Sequence, residues 1–507
     1  MKTIFYYITG TILLSFIFSC GDSFLTLTPK DELTDLNFFQ TESDAQQALT
    51  GVYGQLQPNE TFGVSIDAAD IEWAMSGDLY EMDGSAARIE IHSLALPASN
   101  TKIRDLYMQT YVGVSRANFT ISRVGKMENL DPEKKAQIIA QAKFLRGIFY
   151  YRLANYFGGV PLVLEELDAN SEMEIPRASI DEVWTQVETD LSQAIADLPE
   201  VWTGKDLGRA TKGAAQAFLA KAYLWQEKWP DVVKVTEEMI ASDQYGLVMS
   251  SFRDVFRESN EDNEEMVFAT QFRAGNDGEG SNIVYRTAPR GAPSEFTGSG
   301  AWSNFVPQTH WVNAFEKDGT GKIIDKRYWD VIIGPGEPHQ DMPAFVMPTS
   351  VPAGWSKTGF ITTKYWQKAT IGMSGVNAPV LRFAEVLLNY AEALNEVGRS
   401  DEAMSQVNKI RMRAGLQAKS TGLAKAAVLD AIFYERRMEF LWESAGAFSD
   451  LNRRGRFIDF IKKNRPDFAS LGVDSKPWLK TQPIRLPIPR EAWERNRALE
   501  QNPGYTF

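Results

Sequence analysis

The chain has 507 residues, enough for several domains at roughly 100–200 residues each or for one large helical array with embedded loops. Its 44% hydrophobic and 23% charged residues exclude a mostly disordered, collagen-like or polytopic membrane protein, and a net charge of −13 without any Lys/Arg block argues against nucleic acid. The one cysteine excludes an internal disulfide, and with only His92, His310 and His339 besides, no metal or other cofactor is expected.

Ile4 to Phe18 form an apolar run behind Lys2. It is shorter than the about 20 residues of a bilayer span and suits the apolar core of a cleaved signal peptide. Ile17-Phe18-Ser19-Cys20 then resembles a bacterial lipobox, so residues 1–19 are expected to be a lipoprotein signal peptide and Cys20 the lipidated first mature residue. Residues 20–36 carry Pro29 and polar side chains without helical periodicity and read as a tether. The folded body is expected over 37–507.

Thr41 with Asp44 three residues on marks the start of a first helix. Asp131-Pro132 starts another, whose apolar stripe Ile138, Ala142, Leu145, Phe149, Leu153 and Tyr156 keeps a 3.6-residue period until Gly158-Gly159. Ser179 to Leu198 repeats the pattern through Val183, Val187, Leu191 and Ile195. Ala210 to Ser242 and Val380 to Gly415 each read as a helix, a turn and a second helix, like tetratricopeptide units that are not in tandem. Between them, residues 245–379 are rich in Gly, Pro, Ser and Thr, with a short strand expected near Glu264 to Ala269. The run from Asn260 to Glu265 reads as a solvated turn, and Pro58 to Asn100 as an irregular stretch. The predicted fold class is mainly α, a scaffold of discontinuous helix pairs carrying a loop-rich insertion.

Ordered blocks run along the chain at Cys20 to Leu25, Phe38 to Ala45, Ala142 to Gly147 with Tyr156 to Leu162, Leu381 to Ala393, Ile410 to Gly415, Glu435 to Phe440, Leu486 to Pro489 and Gln501 to Tyr505. In this order they resemble the SusD/RagB group of nutrient-binding outer-membrane lipoproteins. After Glu443 the chain reads Ser444-Ala445-Gly446-Ala447 and lacks the Arg usual there. The resemblance implies a SusD-like helical fold. It also implies a cell-surface, outer-membrane location and a lid-like partnership with a SusC-like TonB-dependent transporter, with oligosaccharide captured for import.

Sugar capture needs flat apolar faces for ring stacking and polar groups for hydroxyls. Loops on a rigid scaffold are where such groups concentrate. The candidate ligand-binding residues are Trp73, Asp78 and Tyr80 in the early irregular stretch and Tyr285, Trp302 and Trp311 in the insertion, with the tryptophans expected to face water. Trp184, Trp225, Trp229 and Trp442 fall in helical patterns and are expected in the core. No His-Glu-x-x-His, Gly-x-Ser-x-Gly or phosphate-loop motif is present, so no enzyme is expected. The alternative is a lipoprotein whose helical-repeat grooves bind peptides or proteins.

Overall fold

The computed structural model describes residues 38–57, 64–82, 84–167, 171, 173–275, 279–297, 301–367, 374–443 and 447–507. The expected signal peptide, the tether and Cys20 lie outside the described residues.

Helix α1 (Glu42–Tyr53) begins at Thr41, where the Asp44 N–H donates to the Thr41 hydroxyl and the Thr41 N–H donates to the Asp44 carboxylate (3.3 and 2.7 Å). This reciprocal cap satisfies two donors that an open helix end would leave bare. Next come α2 (Val64–Met75), β1 (Leu79–Glu81) and α3 (Ala86–His92), in the stretch read from sequence as irregular. From Ala69 to Met75 every side chain of α2 is buried, Asp70 and Glu72 included. A helix without a wet face has no polar stripe, so its 3.6-residue period cannot be seen.

Helices α4 (Thr101–Gly125) and α5 (Pro132–Phe157) pack together, and α6 (Ile180–Asp197) covers the other side of α5. Asp131 caps α5 by accepting from the N–H groups of Glu133 and Lys134, and Ser179 with Glu182 forms a second reciprocal cap on α6. Gly113 sets the α4–α5 approach: a Cβ there would sit 2.6 Å from the Phe149 ring. Then α7 (Lys212–Trp225) and α8 (Trp229–Ala241) form the first expected helix pair.

The insertion contributes β2 (Met266–Thr270), α9 (Ile283–Thr287), α10 (Ser294–Thr297), β3 (Phe305–Pro307), α11 (Thr309–Asn313), α12 (Lys326–Val331), β4 (Ile332–Ile333), β5 (Ile361–Thr362) and β6 (Ala378–Arg382). No described α-helix among these exceeds 6 residues. After it come α13 (Phe383–Glu396), α14 (Ser400–Arg413), α15 (Lys425–Glu439), α16 (Ala447–Arg453), α17 (Phe457–Asn464) and α18 (Arg490–Arg495). Helix α8 packs on α13, so the two pairs are neighbours in space although the whole insertion separates them in sequence. The described strands form antiparallel couples only: β1 with β3, β2 with β6, and β4 with β5.

Where β6 runs into α13, the buried Arg382 meets three carboxylates. Its Nε and Nη2 each donate to Glu443 at 2.7 Å, and its Nη1 donates to Glu439 (3.2 Å) and to Glu265. Arg413 joins Glu265 (3.2 Å) and Glu439, Arg327 joins Asp325, Glu435 and Glu439, and Lys364 joins Glu443. Burial alone would raise the Glu439 carboxyl, but Arg413, Arg382 and Arg327 together hold it down to about 2. Removing one member strands the others, so Arg382→Met is expected to cost about 3–5 kcal/mol in urea unfolding. A cost under about 1 kcal/mol would remove this cluster from the account of stability.

Glu72 is buried in α2 and accepts from the Tyr156 hydroxyl (2.8 Å), the Ser449 N–H (3.1 Å) and the Ser449 hydroxyl. Burial outweighs these hydrogen bonds and pushes the carboxyl up to about 7, against 4.5 for a free glutamate. The folded state therefore holds a proton that the unfolded chain releases, and its contribution is full below about pH 4.5 and lost as pH rises through about 7. Glu72→Gln keeps the site neutral at every pH. Relative to wild type it is expected to gain about 1–3 kcal/mol between pH 5 and pH 8, and parallel stability profiles would reject the assignment.

Candidate functional site

The antiparallel couple β1–β3 sets Tyr80 opposite Val306, and so brings the early stretch against the insertion. Three successive N–H groups then fix the chain leading into β3. Trp302 donates to the Tyr285 carbonyl (2.6 Å), Ser303 to the Ala288 carbonyl (3.0 Å) and Asn304 to the Arg286 carbonyl (2.8 Å). The Ser303 hydroxyl also donates to the Trp355 carbonyl at 2.6 Å. Ser303 and Asn304 are buried by these bonds, while the Trp302 side chain is left 42% exposed.

Trp302 is thus a half-free indole on a pinned backbone. Its ring lies 6.2 Å from the Tyr285 ring at a 42° tilt, and Tyr285 itself is only 5% exposed. Arg290 donates from Nη2 to the Trp302 carbonyl (3.0 Å). Tyr80 is half-buried, with the His92 ring edge-on at 6.0 Å and the Lys357 ammonium over its own ring at 5.0 Å. Lys357 also donates to the Tyr80 hydroxyl (3.2 Å). Trp355 is half-buried and stacks on Phe345, 6.1 Å away at 19°.

The other candidates lie beneath this rim, which corrects the expectation that they face water. Trp73 is 2% exposed in α2; its indole donates to the Glu443 carbonyl (3.3 Å), and the Arg286 guanidinium covers its ring at 5.3 Å. Trp311 is 1% exposed in α11, donates to the Arg437 carbonyl (3.2 Å), and meets Phe315 and Trp442 edge-on. Both rings are walled in by neighbours and offer no face to a ligand. Asp78 is 0% exposed and accepts from Arg437 Nε and Nη2 (2.8 and 2.6 Å), with His310 Nε2 at 3.0 Å. Burial works to raise its carboxyl, yet Arg437 outweighs burial and holds it below the usual carboxylate range. Asp70 beneath the rim is likewise fully buried and met by Arg88, Lys102 and Arg286.

Of the candidates, then, Trp302 is exposed and Tyr80 half-buried, whereas Tyr285 is buried beside the Trp302 ring and Trp73, Asp78 and Trp311 are buried as well. Sequence reasoning did not select Arg290, Trp355 or Lys357. Trp355, in the loop Pro352-Ala353-Gly354, was visible by its composition, whereas nothing in the sequence singles out Lys357. Among the core tryptophans, Trp184 and Trp442 are buried as expected, Trp225 and Trp229 half-buried, and Trp442 lies beyond the end of α15. A concavity of about 400 Å3 lies elsewhere, between α15 and α17, lined by Phe433, Tyr434 and Phe460. Arg456 and Arg437 already cover the Phe433 and Phe460 rings, so Trp302 is the better stacking surface. Among the described residues no three His, Cys, Asp or Glu converge as metal ligands, and no helix is long and apolar enough to cross a membrane.

Two family models match the chain. The SusD family matches residues 346–505, and a SusD-like family described as "Starch-binding associating with outer membrane" matches residues 23–224. SusD-like protein P25 of Formosa agariphila is 25% identical, the match covering 96% of this chain and 98% of the relative. A SusD superfamily protein from Bacteroides vulgatus superposes with a TM-score of 0.78 at 23% identity, covering 92% of this chain and 100% of that one. A laminarin-binding SusD-like protein superposes at 0.74 with 24% identity, covering 91% and 99%. With SusD models matching both ends of the chain, a relative matching nearly its full length and the same mainly α fold, the chain belongs to the SusD/RagB family.

Proposed function

We propose that the protein is a surface-exposed, lipid-anchored binding subunit. It captures oligosaccharide at Trp302 and hands it to a SusC-like TonB-dependent transporter in the outer membrane. The observation that carries this reading is the exposed Trp302 indole on a backbone held by three hydrogen bonds, framed by Tyr80, Tyr285, Arg290, Trp355 and Lys357. A fixed, half-exposed indole presents an apolar face for sugar C–H groups with little ordering left to do on binding. The family's description as starch-binding and outer-membrane-associated supports the substrate class and location, as does the laminarin binding of a structural neighbour. The lipobox-like Ile17-Phe18-Ser19-Cys20 supports the anchor.

Capture without cleavage is favoured because the carboxylates under the rim, Asp70 and Asp78, are both buried in ion pairs with guanidinium groups. A glycosidase needs two carboxyl groups at the glycosidic bond, one of them able to give up a proton. The helical grooves of the alternative reading are in large part used up. Helix α13 is buried from Phe383 to Asn395, and α8, α14 and α15 pack around it.

Trp302→Ala is expected to weaken retention of the mature protein in a polysaccharide-containing native gel by about tenfold, with stability changed by no more than about 0.5–1 kcal/mol. Trp311→Ala is expected to cost about 3–5 kcal/mol of stability instead. Undiminished glycan retention by the Trp302 variant would reject the site. For the anchor, a radiolabelled fatty-acid precursor is expected to enter the wild type and not Cys20→Ala, with the transporter co-purifying from detergent extracts of the wild-type strain. Equal labelling of the two proteins would reject the lipid attachment, and a pull-down without transporter would reject the partnership.

A further inference from the structure

We propose that a cavity inside the helical scaffold holds one halide-sized anion, such as chloride, against the buried guanidinium of Arg152. The cavity measures about 30 Å3 and lies where α5, α7, α13, α15 and α16 meet. One water needs roughly 10–15 Å3, so there is room for a monatomic ion but none for a sugar. This site is separate from the rim at Trp302 and does not depend on capture there. Arg152 lines the cavity from α5 and is only 7% exposed. Its Nε is fully enclosed, and none of its N–H groups has a hydrogen-bond or ion-pair partner among the described residues. Burial outweighs the pull of Tyr156, Tyr151, Glu72 and Glu385 and holds the guanidinium below its usual value. A buried charge in this position is strongly destabilising unless a counter-charge reaches it.

The other charges on the cavity wall are already matched. Lys221 holds Glu385 at 2.7 Å, Arg436 holds Asp450, and Arg453 is shared between Asp450 (3.1 Å) and Glu392. Glu72 reaches the wall through Tyr156 and Ser449, but it keeps its proton up to about pH 7. The surplus is one positive charge, on Arg152. The free donors agree in sign. Asn389 accepts from Arg436 through its carbonyl oxygen (2.8 Å), which leaves its NH2 group, and the Tyr151 oxygen accepts from the Trp225 indole (3.1 Å), which leaves its O–H. Both side chains line the cavity. The one orphan acceptor on the wall, among the described residues, is Glu385 Oε2, on a carboxylate that Lys221 already answers. A water bridging Glu385 to Arg152 would satisfy two hydrogen bonds and leave the charge standing. An anion removes the charge, which is the larger cost.

The test is thermal unfolding of the mature protein at about pH 6, where Glu72 is neutral, in sodium chloride, bromide or gluconate at one ionic strength, joined to anomalous diffraction from bromide-soaked crystals. Wild type is expected to melt a few degrees higher in chloride or bromide than in gluconate, the shift saturating as halide rises. A bromide peak is expected beside Arg152. Arg152→Met keeps much of the side chain's length without its charge, and is expected to lose the halide-dependent shift. General salt effects act on both proteins and cancel in the comparison. Equal halide dependence in the two proteins, or a wild-type cavity that holds only water, would overturn the inference. A bromide peak without the shift would mark an adventitious ion only and overturn it as well. The bromide map needs no variant, so it decides even where Arg152→Met does not fold.

Discussion

The meeting of Arg382 with Glu265, Glu439 and Glu443 is the constraint on which the rest of the architecture depends. Arg382 is the last residue of the strand that closes the insertion, and the next residue begins α13 of the scaffold. Glu265 precedes the strand that opens the insertion, and Glu439 ends α15. One guanidinium therefore joins both ends of the insertion to the helices. Its delocalised charge and rigid fork let it answer several carboxylates at once, which a lysine could not do. Buried ion pairs seldom add net stability over apolar packing, because desolvation is costly. What this cluster adds is register: each carboxylate has a guanidinium or ammonium partner only when insertion and scaffold are docked in one way.

From the cluster a chain of contacts leads to the rim. The Glu443 carbonyl accepts the Trp73 indole N–H, the Trp73 ring lies under Arg286, and Arg286 sits in α9 beside Tyr285. The carbonyls of Tyr285, Arg286 and Ala288 then hold Trp302, Asn304 and Ser303. Trp73, Asp78 and Trp311 are accordingly a buried layer that helps to set where Trp302 and Tyr80 stand. Loop composition could point to the region, but not to the layer within it in which each side chain would lie.

The helices were legible because caps and apolar stripes are local. Thr41 with Asp44, Asp131 with Pro132 and Ser179 with Glu182 all act within one turn, and each starts its helix where the pattern says. Helix α2 was not legible, because its polar residues are buried by partners hundreds of positions away, such as Ser449 for Glu72 and Arg286 for Asp70. The run ending in Glu265 looked like a solvated turn, yet Glu265 is fully buried against Arg382 and Arg413. For the two candidate tryptophans of the insertion, Trp302 and Trp311, the local pattern is alike. Trp311 has Phe315 four residues on, the spacing of two side chains on one helical face, and the structure stacks them edge-on at 4.8 Å. Trp302 has Phe305 and Val306 three and four residues on, the same spacing, yet those two enter β3 rather than a helix, so spacing alone does not separate the exposed tryptophan from the buried one.

A loop-rich segment can interrupt a helical scaffold without loosening it because the cost of closing a loop grows only slowly with its length. The cost lies mainly in bringing the ends together, and here β2 and β6 do so by antiparallel pairing, with the Phe383 N–H donating to the Glu265 carbonyl just past the strand pair. Once that clasp is shut, α8 and α13 pack across the gap almost as consecutive repeats would, and the residues in between, although Arg327 and Lys364 among them pair with scaffold carboxylates, are not held to a helical period. They can be Gly- and Pro-rich, form short strands and single-turn helices, and leave an indole in water. That freedom has a limit set by the clasp itself: the β1–β3 couple and the Trp73–Arg286 contact tie the rim back to α2, so the surface around Trp302 can change its side chains more readily than its position.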